Sequence, residues 1–345
     1  MKSSTSPSSL PLYSSMLKTE EEIFFIKETF EKKLSSHLSL SKVSSPIAIA
    51  DGTGINDDLN GVEKPVSFTM KSITGQRAVV VQSLAKWKRI RLMEYQIEPG
   101  SGIITDMRAL RPDEDLSPIH SVYVDQWDWE KHILPEQRTL KFLKQTVGAI
   151  YEVIKSTEKE LFKRYGDYMP ILPEKIFFIH SEELLNLYPD LTVKERETEI
   201  ARKHRAVFII GIGADLSNGQ PHDGRAPDYD DWTTVNEDGF AGLNGDIIFW
   251  NPVLGSAFEI TSMGIRVDPA SMERQLKIRG CPERKKLHYH SLLLSDRLPL
   301  SIGGGIGQSR LCMFFLRKKH IGEVQAGIWP FETLKESDKD DLKLI

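Results

Sequence analysis

Two stretches of the sequence combine arginine with residues that suit a phosphate-bearing ligand. In the run Gly303-Gly-Gly-Ile-Gly-Gln-Ser-Arg310, glycines alternate ahead of an arginine. Glycine lets the backbone approach a ligand or another backbone closely, and a guanidinium is always charged and can donate to paired oxygens. Arg111 stands in a second stretch, 107–115, ahead of three acidic residues. The combination suits a polyphosphate, but each stretch alone is typical of a packing turn or a solvated hairpin tip.

Two common nucleotide-binding patterns are absent from the sequence. Gly211-Ile-Gly213 follows a predicted strand, but Leu216 stands where a dinucleotide-binding motif needs its third glycine. No Gly-x4-Gly-Lys-Ser/Thr run occurs, which excludes a P-loop. Nucleotide chemistry in this chain therefore depends on the two arginine stretches.

Composition and charge narrow the class of protein. The 345 residues are 40% hydrophobic and carry 45 basic against 49 acidic side chains, a net charge of −4 that disfavours a dedicated nucleic-acid binder. Cys281 and Cys312 cannot form a disulfide framework, which indicates a reduced compartment, and we expect a cytoplasmic protein. No apolar run approaches the roughly 20 residues of a membrane helix. Neither a carboxylate nor a cysteine stands near His288 and His290 at the sequence spacing usual for a metal site, so we expect surface or core histidines.

The chain begins with a Ser-rich segment, residues 1–18, that we expect to be disordered rather than an import signal. Thr19 is the predicted N-cap of the first helix, because three glutamates follow it at the positive end of a helix dipole. We expect one mixed α/β catalytic domain over 19–334 and a charged tail over 335–345.

Apolar periodicity predicts the remaining elements. Strands are expected over 78–83, 121–128, 175–180, 206–210, 246–250 and 257–262. Helices are expected over 136–165, 192–204, 269–279, 284–294 and, as the last helix, 308–319. Gln126 and Asp128 lie two residues apart on one predicted strand, so both point to one face of it.

Several of these runs resemble known families. Arg111-Pro-Asp-Glu114 and the glycine–arginine run 303–310 are similar to two signature motifs of class II aminoacyl-tRNA synthetases, and Pro46 stands where their dimer-forming motif has its proline. Over about residues 20–330 the chain resembles the ammonia-dependent asparagine synthetases (A-type aspartate–ammonia ligases). The runs that carry this resemblance are 83–89, 120–129, 225–232, 242–246, 262–266 and 324–330.

The resemblance implies a mostly antiparallel sheet flanked by helices, as in the class II aminoacyl-tRNA synthetase core, and a homodimer. It also implies a reaction. L-Aspartate and ATP form a β-aspartyl adenylate and pyrophosphate, and ammonia then gives L-asparagine and AMP. Neither a nucleic acid nor a membrane is an expected partner.

The resemblance assigns the nucleotide site. Arg111 and Arg310 would neutralise charge at the α-phosphate, and Asp246 and Glu259 would bind Mg²⁺ and nucleotide. Glu259 alone is also explained as an outward-facing strand residue. The expected ATP-binding set is completed by three glycines: Gly303, Gly305 and Gly307.

The resemblance also assigns the amino-acid site. Lys88 would bind the α-carboxylate and Asp128 the α-ammonium group, whereas Lys86 is expected at the surface. Asp57 would hold ammonium and help to remove its proton, acting with Arg111 and Gln126 as the catalytic set. Further expected substrate-binding residues are Ser83, Ser121, Ser262 and Asp230, the last without an assigned role.

Two other functions remain open on the sequence. An aspartyl- or asparaginyl-tRNA synthetase-like core is disfavoured because little chain precedes the catalytic region for an anticodon-binding barrel, and because of the acidic charge. A non-catalytic dimer that senses an amino acid or nucleotide is disfavoured because the motif residues Arg111, Asp128, Asp246 and Arg310 are all present. Nothing indicates a glutamine-hydrolysing region, which favours free ammonia as the nitrogen donor.

Overall fold

A twisted sheet and the helices packed on it dominate the computed structural model, which describes residues 12–57, 59, 63–339 and 342–345, without the side chains of 12–14. The strands of the described residues are β1 (Leu40–Lys42), β2 (Ala48–Ala50), β3 (Ser67–Met70), β4 (Ile73–Val80), β5 (Gly102–Leu110), β6 (Tyr123–His132), β7 (Phe177–His180), β8 (Ala206–Ile210), β9 (Asn244–Asn251), β10 (Ser256–Ile265) and β11 (Ser301–Gly307).

The strands form two sheets. Eight of them follow the order β1-β5-β6-β11-β10-β9-β8-β7, and β2-β4-β3 form a separate small sheet. The outermost pairs of the large sheet, β1 with β5 and β7 with β8, are parallel, and its inner pairs are antiparallel. The expectation of a mostly antiparallel sheet flanked by helices is confirmed, with parallel pairing confined to the two edges.

Nine α-helices are described. Their bounds are α1 (Leu12–Leu38), α2 (Ala85–Glu94), α3 (Leu140–Tyr165), α4 (Ser181–Leu187), α5 (Val193–His204), α6 (Pro269–Ile278), α7 (His288–Leu294), α8 (Gln308–Phe315) and α9 (Phe331–Lys339). The predicted start of α3 was too early, because Thr139 caps the helix and 135–137 form a separate 3-10 turn. The predicted start of α7 was also too early, since 282–286 form another 3-10 turn.

The first helix begins before the predicted N-cap. Thr19 lies inside α1, and its hydroxyl donates to the carbonyl of Ser15 at 3.2 Å. The N-cap prediction was therefore wrong, and the expected disordered segment does not extend through 12–18; residues 1–11 of it lie outside the described part. One apolar stripe of this helix is buried, with Ile26, Phe30 and Leu34 at 0% exposure.

The chain end packs against the domain. The expected boundary between residues 334 and 335 falls inside α9, a helix that the sequence reading did not predict. The amide of Ile345 donates to the carbonyl of Gly322 at 2.8 Å. The last residues of the charged tail therefore lie against the domain. None of the described helices is long and apolar enough to cross a membrane.

Strand β6 has two faces with different tasks. Trp127 and Trp129 are buried in the main core, where the ring of Trp127 lies 4.5 Å from that of Phe30 in α1. Gln126 and Asp128, one residue out of phase, line the large cleft on the other face. The shared face predicted for these two polar residues is therefore confirmed, and the same strand joins the core to the site.

Candidate active site

A cleft of about 470 Å³ opens beside β6, β10, β11 and the start of α8. Loops after β5 and around 223–230 complete its walls. The structure brings most of the expected site residues to this one cleft. They are Asp57, Ser83, Lys88, Arg111, Ser121, Gln126, Asp128, Asp230, Glu259, Ser262, Gly305, Gly307 and Arg310.

The alternating glycines form a central strand, β11, rather than the expected turn. A Cβ at Gly303 would lie 1.9 Å from Glu130 Oε2, and one at Gly305 would lie 2.2 Å from Gln126 Oε1. These glycines therefore leave space for side chains of β6, the neighbouring strand. Gly303 does not line the cleft, so its expected direct contact with ATP is not supported, whereas Gly305 and Gly307 do line it.

Lys88 is fully buried and bonded within the protein. Its ammonium contacts Asp128 Oδ1 and donates to the carbonyls of Trp129 at 3.1 Å and Gly304 at 3.0 Å. Burial lowers the pKa of Lys88, while Asp128 and Glu130 oppose that shift. Since an ammonium has three donors, these contacts favour a role in orienting Asp128 over direct binding of the substrate's α-carboxylate.

A buried charge network connects β6, β10 and the loop before β9. Arg266 donates to Glu130 at 2.9 and 3.0 Å and contacts Asp230 as well. Glu130 also accepts from the Ser301 hydroxyl at 2.7 Å. Asp230, which had no assigned role, thereby pairs with Arg266 and lies 3.6 Å from Arg225. The sequence reading missed Glu130, Arg225 and Arg266 as site residues.

Asp246 lies behind Arg225, whose guanidinium it contacts, and does not itself line the cleft. Burial raises the pKa of Asp246 to about 8; Arg225 opposes the shift, and the charges of Glu259 and Asp223 add to it. Glu259 has a lowered pKa, because Arg310 and Arg225 outweigh its burial. The carboxyl groups of Asp246, Glu259 and Asp223 thus lie close enough to act on one another, an arrangement that suits an additional cation.

Arg310 is placed by the first turn of α8. Its Nη1 donates to the carbonyl of Glu259 at 3.2 Å and lies 3.6 Å from the Glu259 carboxylate. His120 lines the same part of the cleft, where burial and the charge of Arg310 lower its pKa to about 4. A neutral imidazole therefore stands near the predicted nucleotide-binding arginine, another residue that the sequence reading missed.

Asp57 and Arg111 both line the cleft, and each is held there by a hydrogen bond to the backbone. Arg111 Nη2 donates to the carbonyl of Gln82 at 3.2 Å, and Asp57 Oδ1 accepts from the amide of Leu59 at 3.1 Å. Asp57 is only 3% exposed. The expected loop position of Asp57 is confirmed, and the carboxylate is held at the wall rather than in solvent.

Lys86 is buried, so its predicted surface position was wrong. Its ammonium lies 3.0 Å from Asp228 Oδ2, and His290 Nε2 lies 2.9 Å from the same oxygen. All three side chains have at most 2% exposure. The expectation of surface or core histidines is met by both residues, since His290 is buried and His288 is exposed.

A signal for most of the missed residues was present in the sequence. Arg225, Arg266 and His120 lie inside the runs that carry the resemblance, at 225–232, 262–266 and 120–129. Glu130 continues the alternation of Gln126 and Asp128 beyond the predicted end of the strand. Which of these charged residues pair could not be read from spacing, because the partners come from different strands and loops.

The sheet order and the flanking helices define a protein with the fold of the class II aminoacyl-tRNA synthetase core. Asparaginyl-tRNA synthetase of Entamoeba histolytica, in complex with asparaginyl-adenylate, superposes with a TM-score of 0.67 at 11% identity, over 93% of this chain and 71% of that one. The asparaginyl-adenylate complex of the Pyrococcus horikoshii enzyme gives 0.67 at 15% identity, over 91% and 70%. At these identities the likeness shows the fold alone.

The family is narrower than this fold. The family model for aspartate–ammonia ligase matches residues 17–341. Aspartate–ammonia ligase of Bacteroides thetaiotaomicron is 55% identical over 95% of each chain, and that of Clostridium perfringens is 52% identical over 96% of each. The chain belongs to the aspartate–ammonia ligase family. This membership confirms the predicted enzyme class, a ligase that makes asparagine from aspartate and ammonia with ATP.

Proposed function

We propose that the cleft joins aspartate to ATP as a β-aspartyl adenylate and then transfers the β-acyl group to ammonia. One observation carries this proposal: cationic Arg111 and Arg310 line the same cleft as the polar pair Gln126 and Asp128. A triphosphate and an amino acid therefore have complementary groups within a single volume of about 470 Å³.

In the first step, two anionic substrates must meet, and charge develops at the α-phosphate as pyrophosphate leaves. Arg111 and Arg310 stabilise that charge. Arg111 is anchored on the Gln82 carbonyl and Arg310 on the Glu259 carbonyl, so both guanidiniums are held in place before substrate binds. Neutral His120 adds a polar group near Arg310 without adding positive charge.

Magnesium fits the carboxylate-rich end of the cleft. Burial, with the charges of Glu259 and Asp223 adding to it, raises the pKa of Asp246 to about 8, so a cation bound there would favour its ionised form. Among the described residues no three metal-binding side chains cluster closely enough to hold an ion by themselves, so Mg²⁺ would take phosphate oxygens into its shell. Glu259 would hold the ion directly, with Asp246 next to it. Bound there, Mg²⁺ would neutralise phosphate charge.

The aspartate side of the cleft is built around Asp128. Its carboxylate would accept hydrogen bonds from the substrate's α-ammonium group. Lys88 contacts that carboxylate and donates to the carbonyl of Gly304, and these contacts keep Asp128 in position. Gln126, lying over Gly305, would hydrogen-bond the reacting end of the substrate. The hydroxyls of Ser83, Ser121 and Ser262 complete this wall.

In the second step ammonia attacks the acyl carbon and AMP leaves. Attack by neutral ammonia on the adenylate releases a proton, and a carboxylate at the reacting carbon can accept it. Asp57 is buried in the cleft wall and is the carboxylate assigned to this task.

The product nucleotide tests the proposal. Purified protein is incubated with aspartate, ATP, Mg²⁺ and either ammonium or glutamine, and the nucleotides are separated. We expect AMP and pyrophosphate, with asparagine formed from ammonium. Formation of ADP would contradict the adenylate route. Asparagine formed from glutamine alone would contradict ammonia as the nitrogen donor.

Two further expectations are retained as part of the proposal: the homodimer that the family resemblance implied and the cytoplasmic location that the cysteine usage indicated. Leu17 and Phe24 on α1 are 64% and 71% exposed, an apolar pair that a second subunit would cover. Neither Cys281 nor Cys312 forms a disulfide within the described part of the chain, which is compatible with a reducing compartment. Light scattering of the wild type and of Phe24→Asp tests the dimer, which the substitution should dissociate.

A further inference from the structure

A second cavity adjoins the cleft and shares two lining residues with it. Its volume is about 260 Å³, and Asp57 and Gln82 line both spaces. The exposed residues Asp51 and Gly52 place its outer end at the surface, whereas His290 is fully buried. A molecule of the size of water occupies roughly 30 Å³, so the cavity is large enough to hold a small nucleophile.

Gln82 separates the two spaces. Its side chain is fully buried, and neither its amide nitrogen nor its amide oxygen has a hydrogen-bond partner among the described residues. The backbone of Gln82 is fixed on both sides, because its amide donates to Asn56 Oδ1 at 2.9 Å and its carbonyl accepts from Arg111. A buried polar group of this kind is normally satisfied by a bound molecule. An amide offers a small amine both an acceptor and a donor.

His290 presents a basic nitrogen to the same cavity. Burial would raise the pKa of Asp228, but Lys86 and His290 outweigh it and hold that pKa below its ordinary value. His290 Nε2 lies 2.9 Å from Asp228 and donates its hydrogen to that carboxylate. The other ring nitrogen, Nδ1, has no hydrogen-bond partner among the described residues and is the position at which a neutral ring would accept a proton. Gly54 packs close to His290 Nδ1, since a Cβ at this glycine would lie 2.9 Å from that nitrogen.

Charge in the described lining does not exclude a cation. Lys86 and Arg284 lie 3.0 and 3.6 Å from Asp228, so the Asp228 carboxylate faces both of them. Asp51 and Asp57 add two further carboxylates to the wall. Three carboxylates and two permanent cations thus line the cavity together with the imidazole of His290, and Asp51 also lies 4.0 Å from Arg77.

We propose that this cavity is the ammonium entrance of the enzyme, in which His290 removes one proton from NH₄⁺ and Gln82 guides the resulting NH₃ into the cleft. The inference rests on the proposed function, which needs neutral ammonia although ammonium predominates at neutral pH. An N–H bond of ammonium breaks, its electron pair stays on nitrogen, and the proton binds Nδ1. The imidazolium returns that proton to solvent at the cavity mouth. Ammonia thereby reaches the adenylate without passing the nucleotide.

A nucleophile that needs no deprotonation tests the proposal. Hydroxylamine is a weaker base than ammonia and is mostly neutral at pH 7, so it gives aspartyl hydroxamate without the help of a base. The variant is His290→Gln, and its matched control is His288→Gln, an exposed histidine on the same helix. Aspartate-dependent exchange of pyrophosphate into ATP reports whether the first step and the fold are intact.

We expect His290→Gln to lose about tenfold or more in kcat/KM for ammonium at pH 7, with a smaller loss at pH 9, where more free ammonia is present. Pyrophosphate exchange and kcat/KM for hydroxylamine should stay within about twofold of the His288→Gln control. Equal losses for both nucleophiles, or no loss with ammonium, would overturn the proposal.

Gln82→Met supplies a second test, because it preserves the side-chain length and the backbone contacts while removing the amide. We expect a raised KM for ammonium and unchanged pyrophosphate exchange; an unchanged KM would contradict the assigned role of Gln82. Failure of the wild type itself to exchange pyrophosphate would instead contradict the proposed function. The two failures are thus distinguishable.

Discussion

The guanidinium of Arg225 contacts the carboxylate of Asp246 and stands between that carboxylate and the cleft. The fold brings the two side chains together, because Arg225 and Asp246 are 21 positions apart in the sequence. The pair decides how much negative charge the nucleotide end of the cleft presents, because Asp246 titrates near neutral pH while paired.

Replacing Arg225 should reveal this dependence. In Arg225→Gln the pKa of Asp246 should rise further above about 8, since the opposing cation is gone, and the carboxyl stays protonated to a higher pH. We expect the free energy of unfolding to fall by about 2 kcal/mol, the range of a hydrogen bond to a charged group, and pyrophosphate exchange to be lost. Urea unfolding and the exchange assay measure both. The double variant Arg225→Gln/Asp246→Asn should regain stability but not exchange; an unaffected single variant would contradict the pair's role.

A methyl group at position 305 should impair catalysis more than folding. In Gly305→Ala the new Cβ would meet Gln126 Oε1, a flexible side-chain end that can move away into the cleft. We expect kcat to fall about tenfold, with a loss of stability near 1 kcal/mol. Steady-state kinetics and urea unfolding measure the two effects.

Two other glycines provide comparisons for Gly305→Ala. Gly303→Ala displaces the buried Glu130–Arg266 pair and should cost about 3 kcal/mol or more. Gly148→Ala, in α3 with open space around the added methyl, should be neutral or stabilise by up to about 1 kcal/mol. Equal destabilisation by the substitutions at 303 and 305 would contradict the distinction drawn between them.

His120 should make the folded protein sensitive to acid. Its pKa is lowered to about 4 from 6.5, so between these pH values the unfolded chain binds more protons than the folded one. The free energy of unfolding should therefore fall as the pH falls through this window. His120→Gln should weaken that dependence, measured by urea unfolding at pH 7 and pH 5, whereas the exposed His288→Gln should not. An identical slope for both variants would show that His120 is not the source.

Asp57 should matter for the second step more than for the first. Asp57→Ala should retain most aspartate-dependent pyrophosphate exchange while asparagine formation falls about 100-fold, the range of a lost general base. Parallel assays of exchange and of asparagine measure the split. Equal loss of both activities would place Asp57 in aspartate binding or in folding instead.

The sequence alone determined the composition of the cleft. Polar and charged residues grouped in long runs identified the family, and the alternation in β6 put Gln126 and Asp128 on one face, because side chains alternate along any strand. The strand and helix positions were close for the same reason: local periodicity reports which face is buried. Arg111 and Arg310, which lie in the two arginine stretches, line the cleft, and so does Glu259.

Only the tertiary structure decided which of these residues are partners. Lys88 was expected to meet substrate, and Lys86 to meet solvent, yet both are buried against carboxylates that lie 40 and 142 residues away. The sequence pattern around Gly303 and Gly305 is typical of a turn, but these residues form a central strand. Because glycine has no side chain, they leave space for Glu130 and Gln126 on the neighbouring strand. Pairing of this kind depends on sheet order and register, which link distant segments and leave no local periodicity in the chain.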